Sequence, residues 1–232
     1  MEVLVTDFSG VYAAEGFMNW LVSREGESAV RRLDFLGLDG TQCYLDPESE
    51  ERIAASLPHP LPRVRWIDSG DYHYMSHLLA LRECEPFHLL LLDHHPDNQE
   101  GAFGGDMLSC GSWVLQAQER NPMLLDVQTV GPEDCPQEIP AHWLERCAGE
   151  RVYLSLDKDF LSPQCSRTDW SQGNCSLEQL FRMLEPVFLR CRVVAADVCG
   201  ERSESKGATS EDYEINLATN IEIQKFLTNH LK

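Results

Sequence analysis

The sequence lacks any apolar stretch long enough to cross a bilayer. Phe87–Leu92 (FHLLLL) comes nearest in character, but it runs into aspartate and histidine and reads as a buried strand. A secretion signal is also missing: Glu2 and Asp7 interrupt the first segment and no basic stretch precedes it, so the expected compartment is the cytoplasm. No C-x-x-C occurs among the nine cysteines. Their odd number and irregular spacing argue against a disulfide framework or a thiolate zinc site. Cys84, Cys147 and Cys191 sit in apolar stretches and read as small buried hydrophobes. Basic residues are scarce, 19 against 38 acidic ones, which leaves a net charge of −19. A chain of that sign repels nucleic acid and anionic membranes, so neither is an expected partner.

What is present is an ordinary globular composition. At 232 residues, with 43% hydrophobic and 25% charged side chains, the chain can bury a substantial core. No repeat, low-complexity tract or linker divides it, and residues 1–232 read as one domain. Strand-like runs occur at 2–8, 63–68, 87–92, 124–130, 152–156 and 192–196. Helical patterns fall between them at 16–25, 48–57, 72–82, 110–120, 141–148 and 177–184, with a long closing helix over 212–231. Short strands without strong alternation, separated by helices, indicate parallel strands buried on both faces. The expected fold is α/β, a three-layer α/β/α arrangement around a mostly parallel central sheet. The polar stretch 200–211 reads as a loop and a candidate lid.

The informative feature is where acids and histidines fall. Leu89–Leu92 runs into Asp93-His94-His95-Pro96-Asp97, and the 152–156 run into Asp157-Lys158-Asp159. Trp66-Ile67 leads to Asp68-Ser69-Gly70-Asp71-Tyr72-His73, and the 193–196 run to Asp197 and then Glu201. In a parallel sheet the carboxyl ends of strands share one edge, where α/β proteins place their sites. Extended backbone projects alternate side chains to one side, so Asp93, His95 and Asp97 can converge, as can Asp157 and Asp159. Carboxylates crowded this way repel one another unless a cation compensates. Mixed carboxylate and imidazole donors suit Mn²⁺, Zn²⁺ or Fe²⁺ better than Ca²⁺. Either motif alone is more often a turn or a cap; both together, each directly after an apolar strand, point to metal.

The segments D-H-H-P-D (Asp93–Asp97) and S-L-D-K-D-F-L-S-P (Ser155–Pro163) resemble the two signature motifs of the arginase, agmatinase and histone-deacetylase superfamily. The resemblance runs in order from about Trp66 to Glu201 and implies an arginase-like metallohydrolase domain. It implies that Asp93 and Asp157 bridge two ions, that His95 and Asp159 complete one shell, and that Asp97 serves the other. For the remaining histidine ligand, Ser69–His73 is the nearest match, with His73 the candidate and Asp71 the alternative; His77, a helical turn on, reads as packing. The family's glutamate for the guanidinium group matches Glu201, shifted by one residue. Ser162 stands where the arginase motif has its final aspartate. The family's proton-shuttle histidine has no counterpart: His142 is the only histidine between the motifs, and Cys110 occupies the corresponding stretch as a pocket-lining candidate.

The resemblance therefore implies hydrolysis of a C–N bond in a guanidino or amidino group by a metal-bridging hydroxide, with manganese first among the metals and zinc or iron as alternatives. Asp97, Glu201 and Cys110 are the expected catalytic or substrate-contacting residues. The expected metal ligands are His73, Asp93, His95, Asp97, Asp157 and Asp159. The expected substrate is a small cationic guanidino compound or an arginine within a peptide, and family precedent adds a homo-oligomer. Two rival readings stand beside this one, a single-zinc deacetylase-like amide hydrolase and a non-catalytic metal-binding relative.

Overall fold

The computed structural model describes residues 1–101, 107–131 and 137–231. The chain opens with β1 (Val3–Asp7), α1 (Val11–Ala14), α2 (Phe17–Glu25), β2 (Val30–Asp34), the short β3 (Tyr44–Leu45) and α3 (Pro47–Ser56). Next come β4 (Val64–Ser69), α4 (Met75–Ala80), β5 (Phe87–Leu92), the short β6 (Leu108–Ser109), α5 (Trp113–Arg120) and β7 (Leu124–Val130). It closes with α6 (Ala141–Arg146), β8 (Arg151–Asp157), α7 (Leu177–Arg190), β9 (Arg192–Glu201) and α8 (Ser210–His230). Among the described residues no helix is long and apolar enough to cross a membrane.

Seven strands form one sheet in the order β2-β1-β4-β9-β8-β5-β7, and every pairing in it is parallel. The expected three-layer α/β/α architecture is present. One face packs Phe17 and Leu21 of α2, Trp143 of α6, Leu180 and Leu184 of α7, and Ile223 and Leu227 of α8 against the strands. The other packs Ile53 of α3, Met75 and Leu78 of α4, and Trp113 and Val114 of α5. Leu90 and Leu92 belong to the first core, Leu89 and Leu91 to the second. Such a strand loses solvent on both sides, which is why β5 is apolar without alternation; each buried leucine contributes about 2 kcal/mol.

Helix starts follow local chemistry. Asp46 caps α3 by accepting from Ser49 N at 2.8 Å, with Pro47 in the first turn. Ser176 with Gln179 and Thr209 with Asp212 form capping boxes at α7 and α8.

The sequence reading misses β2, α1 and the β3–β6 pair. β2 is an edge strand carrying Arg31 and Arg32, so it has no apolar signature. The polar stretch 200–211 is more ordered than the lid expectation. β9 continues through Glu201, and α8 starts at Ser210. Between them Ser203 binds Asp169 through both its backbone N–H (3.1 Å) and its hydroxyl (2.7 Å).

Candidate metal centre

At the carboxyl edge of the sheet, β4, β5 and β8 deliver their terminal side chains to one cavity of about 240 Å³. Its lining includes His73, Asp93, His95, Asp97, Asp157 and Asp159. Three donor groups overlap there, His73/Asp93/Asp97, Asp93/His95/Asp159 and His73/Asp157/Cys199, each with its ligand atoms within 4.8 Å of one another. His73 Nδ1 lies 2.9 Å from Asp97 Oδ2, 3.3 Å from Asp93 Oδ2 and 3.5 Å from Asp157 Oδ2. His95 Nδ1 lies 2.7 Å from Asp159 Oδ2 and 3.7 Å from Asp93 Oδ1. Asp93 is thus common to the first two groups, and His73 to the first and third.

The backbone fixes this convergence. Asp97 takes a left-handed conformation at φ 46°, which turns the chain back after Asp93 and His95. Gly200 sits at φ 95°, and a Cβ there would lie 2.3 Å from Asp157 Oδ1 and 2.7 Å from Lys158 N. Only glycine lets β9 approach β8 this closely.

Hydrogen bonds orient the donors. Ser155 Oγ donates to Asp197 Oδ1 at 2.7 Å, so at 3.1 Å it accepts from His73 Nε2. That places the His73 proton on Nε2 and turns the Nδ1 lone pair towards the carboxylates. His95 repeats the pattern, with Nε2 3.0 Å from Ser171 Oγ and Nδ1 on Asp159. Trp113 Nε1 donates to Asp97 Oδ2 at 2.7 Å, Cys199 Sγ to Asp157 Oδ2 at 3.0 Å, and His94 N to Asp159 Oδ1 at 2.9 Å.

The electrostatics are those of a cation site. Burial, with the charge of Asp159 second, pushes the Asp157 carboxyl up to about 6. Burial and the charge of Asp93 push Asp159 up to about 7. Asp93 is raised by burial and by Asp97. The hydrogen bond to Asp159 holds His95 up at about 10. His73 is raised well above its ordinary value: burial opposes its charge, and Cys199, Asp93 and Asp97 outweigh that. These shifts describe carboxylates that need positive charge between them, supplied by protons when no metal ion is bound. Asp93 Oδ2 is buried without a hydrogen-bond partner. That oxygen faces His73 Nδ1 while its partner Oδ1 faces His95 Nδ1, and a carboxylate set between two imidazoles in this way fits divalent ions, so the residues present suit the metals that their chemistry implies.

Three positions differ from expectation. Glu201 is fully buried and outside the cavity. Lys158 Nζ donates to its Oε1, as does Asn220 Nδ2 at 2.8 Å, and Asn216 Nδ2 donates to Oε2 at 2.7 Å. Gly200 breaks the alternation of β9, and Glu201 meets Asn216 and Asn220 of α8. Asp71, the alternative ligand, accepts from Trp170 Nε1 at 2.9 Å and Gln42 Nε2 at 3.3 Å, outside the donor groups. Asp197 lies within β9 and serves Ser155 and Tyr153. Cys110 does line the cavity, next to Cys43, whose carbonyl accepts from Cys110 N at 2.9 Å. His142 is exposed on α6, away from the cavity. His77 is buried in α4 and depressed to about 4 by desolvation, as a packing histidine would be.

Sequence reasoning missed Cys43, Tyr44, Gln99 and Trp170 on the cavity wall, and Cys199 behind it. Trp170, 41% exposed, stands edge-on to His95 with ring centroids 5.8 Å apart. It lies in an irregular loop and carries no periodic signal. Cys199 was findable, since alternation along β9 from Asp197 sets it beside Asp157.

No family model matches the chain. It is 28% identical over 208 residues to an uncharacterised protein of Thermotoga maritima, covering 86% of this chain and 80% of the other. Among solved structures, Helicobacter pylori arginase superposes with a TM-score of 0.65 at 11% identity, covering all of both chains. The agmatine ureohydrolase of Thermoplasma volcanium gives 0.64 at 14% identity, over 98% of this chain and 88% of its own. A hypothetical agmatinase from Burkholderia thailandensis gives 0.62 at 17% identity, over 99% and 86%. Across its full length the chain is therefore a structural match, at low sequence identity, to the arginase and agmatinase ureohydrolases, and its fold is the arginase fold.

Proposed function

We propose that the protein is a binuclear metal-dependent hydrolase that cleaves a C–N bond of a guanidino or amidino group, the whole chain serving as one metallohydrolase domain. The observation that carries this is the pair of overlapping donor groups sharing Asp93. His73 and Asp97 would hold one ion and His95 and Asp159 the other, with Asp93 and Asp157 between them. Manganese suits a donor set this rich in carboxylates, and zinc and iron are the alternatives. A single-zinc deacetylase-like site leaves Asp97 and Asp159 without work, whereas here both belong to tight donor groups.

Bound there, divalent ions supply a lowered pKa for water and hence a nucleophile near neutral pH. The chain's own residues do the rest. Asp97, fixed by Trp113 Nε1, orients the reacting water. The exposed face of Trp170 offers a cation–π surface to a guanidinium group at the rim. Cys110, raised by its hydrogen bond with the Cys43 thiol, stays protonated and forms a neutral wall. Glu201 plays no part in substrate binding, since Lys158 already neutralises it. Among the described residues no acid lines the cavity beyond the donor set, so the guanidinium group need not be that of free arginine, and an arginine side chain in a peptide is included.

The test is urea release by Mn²⁺-loaded protein across free, decarboxylated, acylated and peptide-borne guanidino compounds, with acetyl-lysine peptides in parallel. Urea from at least one guanidino compound, abolished in Asp97→Ala, is the expected outcome. Acetate release alone would establish the deacetylase reading instead. Two bound ions with no turnover of either class would mark a non-catalytic relative.

A further inference from the structure

The opposite edge of the sheet carries the reverse charge. Where β4, β9 and β8 begin, in adjacent positions, a second cavity of about 390 Å³ opens. Its lining holds Arg63, Arg65, Arg82, Arg151 and Arg192, with Glu83 the one acidic side chain there among the described residues. Five of the chain's fifteen arginines thus face one concavity in a protein of net charge −19. Glu83 pairs with two of the five: its Oε1 lies 3.2 Å from Arg65 and its Oε2 2.8 Å from Arg151. Glu85 reaches Arg151 from the exposed margin at 3.3 Å.

The floor is built rather than incidental. Arg65 is 2% exposed and its guanidinium is locked, donating from Nε to the Pro62 carbonyl and from Nη1 to Tyr153 Oη, both at 2.9 Å. Asp197 secures Tyr153 from behind, accepting from its hydroxyl at 2.6 Å. Arg151 Nε is buried and has no acceptor among the described residues. Arg63 and Arg192 stand exposed at the strand starts, and Arg82 donates to the Ala54 carbonyl with one arm only.

We infer that this cavity is a binding site for a small phosphate-bearing molecule. Guanidinium groups converging on a concave site match the paired oxygens of a phosphate, and the volume suits a compound of one or two phosphates. Crowded guanidinium groups repel one another, and a bound polyanion removes that repulsion as a cation does for the carboxylates at the other edge. Arg65 and Arg151 form the fixed floor, and Arg63 and Arg192 close over the anion from the rim. The site is separate from the metal centre, since the two lie at opposite ends of the same strands.

Inorganic pyrophosphate is the probe, titrated into the full chain with thermal shift and ³¹P NMR as readouts, at constant ionic strength. Three proteins are compared: the wild type, Asp93→Asn, and the rim variant Arg63→Glu/Arg192→Glu, whose exposed positions spare the fold. Saturable binding is expected in the wild type and in Asp93→Asn, weakened about tenfold or more per arginine in the rim variant. Binding lost in Asp93→Asn but kept in the rim variant would assign the anion to metal and overturn the proposal. A response matched by sodium chloride alone, or none at all, would also overturn it. Tighter binding of a polyphosphate chain or an acidic peptide than of pyrophosphate would replace the small molecule with a macromolecular partner.

Discussion

At the carboxyl ends of its strands the protein gathers four aspartates and two histidines, and at the amino ends it gathers five arginines. Each collection repels itself and needs an opposite charge, but the two are prepared differently. At the acidic edge five of the six side chains are buried, most are fixed by named hydrogen bonds, and the cavity is about 240 Å³. At the basic edge the floor is fixed and the rim is exposed, around about 390 Å³. Fixed donors in a small cavity suit an ion of defined geometry, whereas exposed arginines over a fixed floor suit a larger anion. Asp197 touches both ends, through Ser155 towards His73 and through Tyr153 towards Arg65.

The sharpest break in that comparison is Asp93→Ala, which removes the donor common to the His73/Asp93/Asp97 and Asp93/His95/Asp159 groups. Metal affinity should fall by more than about a hundredfold, beyond the loss typical of residues behind a ligand, with pyrophosphate binding retained. Mass spectrometric metal counting after equilibrium dialysis checks it. Gly200→Ala forces a Cβ to 2.3 Å from Asp157 Oδ1 at a positive φ. It should destabilise the fold by about 3 kcal/mol in urea unfolding and reduce metal content with it. Ser155→Ala removes the acceptor that holds His73 Nε2 and should weaken metal binding by about ten- to a hundredfold, while the buried Asp197 Oδ1 left without its donor costs about 1–3 kcal/mol of stability.

A pH series sharpens the contrast further. Asp157 and Asp159 are held at about 6 and about 7, above their unfolded values. Carboxyls raised in the folded state stabilise it when protonated, so with respect to these groups the metal-free protein is most stable below the ordinary aspartate value of 3.8 and loses that contribution as pH rises from there through 7. A cation replaces those protons, so metal affinity should rise over the same interval. Calorimetry should show melting temperatures moving in opposite directions with pH for chelated and metal-loaded protein, and Asp159→Asn should flatten both trends. The smallest effect is expected at the other edge: Arg192→Ala should change stability by no more than about 0.5 kcal/mol and metal content not at all.

Much of the fold was legible because β5, β8 and the other buried strands carry continuous apolar runs, a pattern that parallel sheets impose. β2 was not, because an edge strand bearing arginines has no such run. The acidic edge was legible for a related reason. Its ligands come from single strand ends at spacings of two, so Asp93/His95/Asp97 and Asp157/Asp159 announce themselves locally. His73 was reachable through Ser69–His73, whereas Glu201 was misplaced because a glycine at φ 95° redirects the chain just before it. The arginine cavity left no local trace. Its members come from four separate segments and meet only because β4, β9 and β8 are neighbours in the sheet, an order that no spacing in the sequence reveals.

The central claim is a centre for two metal ions, and the most direct measurement is the number of ions retained per chain after Mn²⁺ loading and gel filtration, in the wild type and in Asp159→Ala. About two in the wild type and a clear loss in the variant are expected. One ion in both proteins, indifferent to Asp159, would contradict the claim, and so would a wild type that retains none.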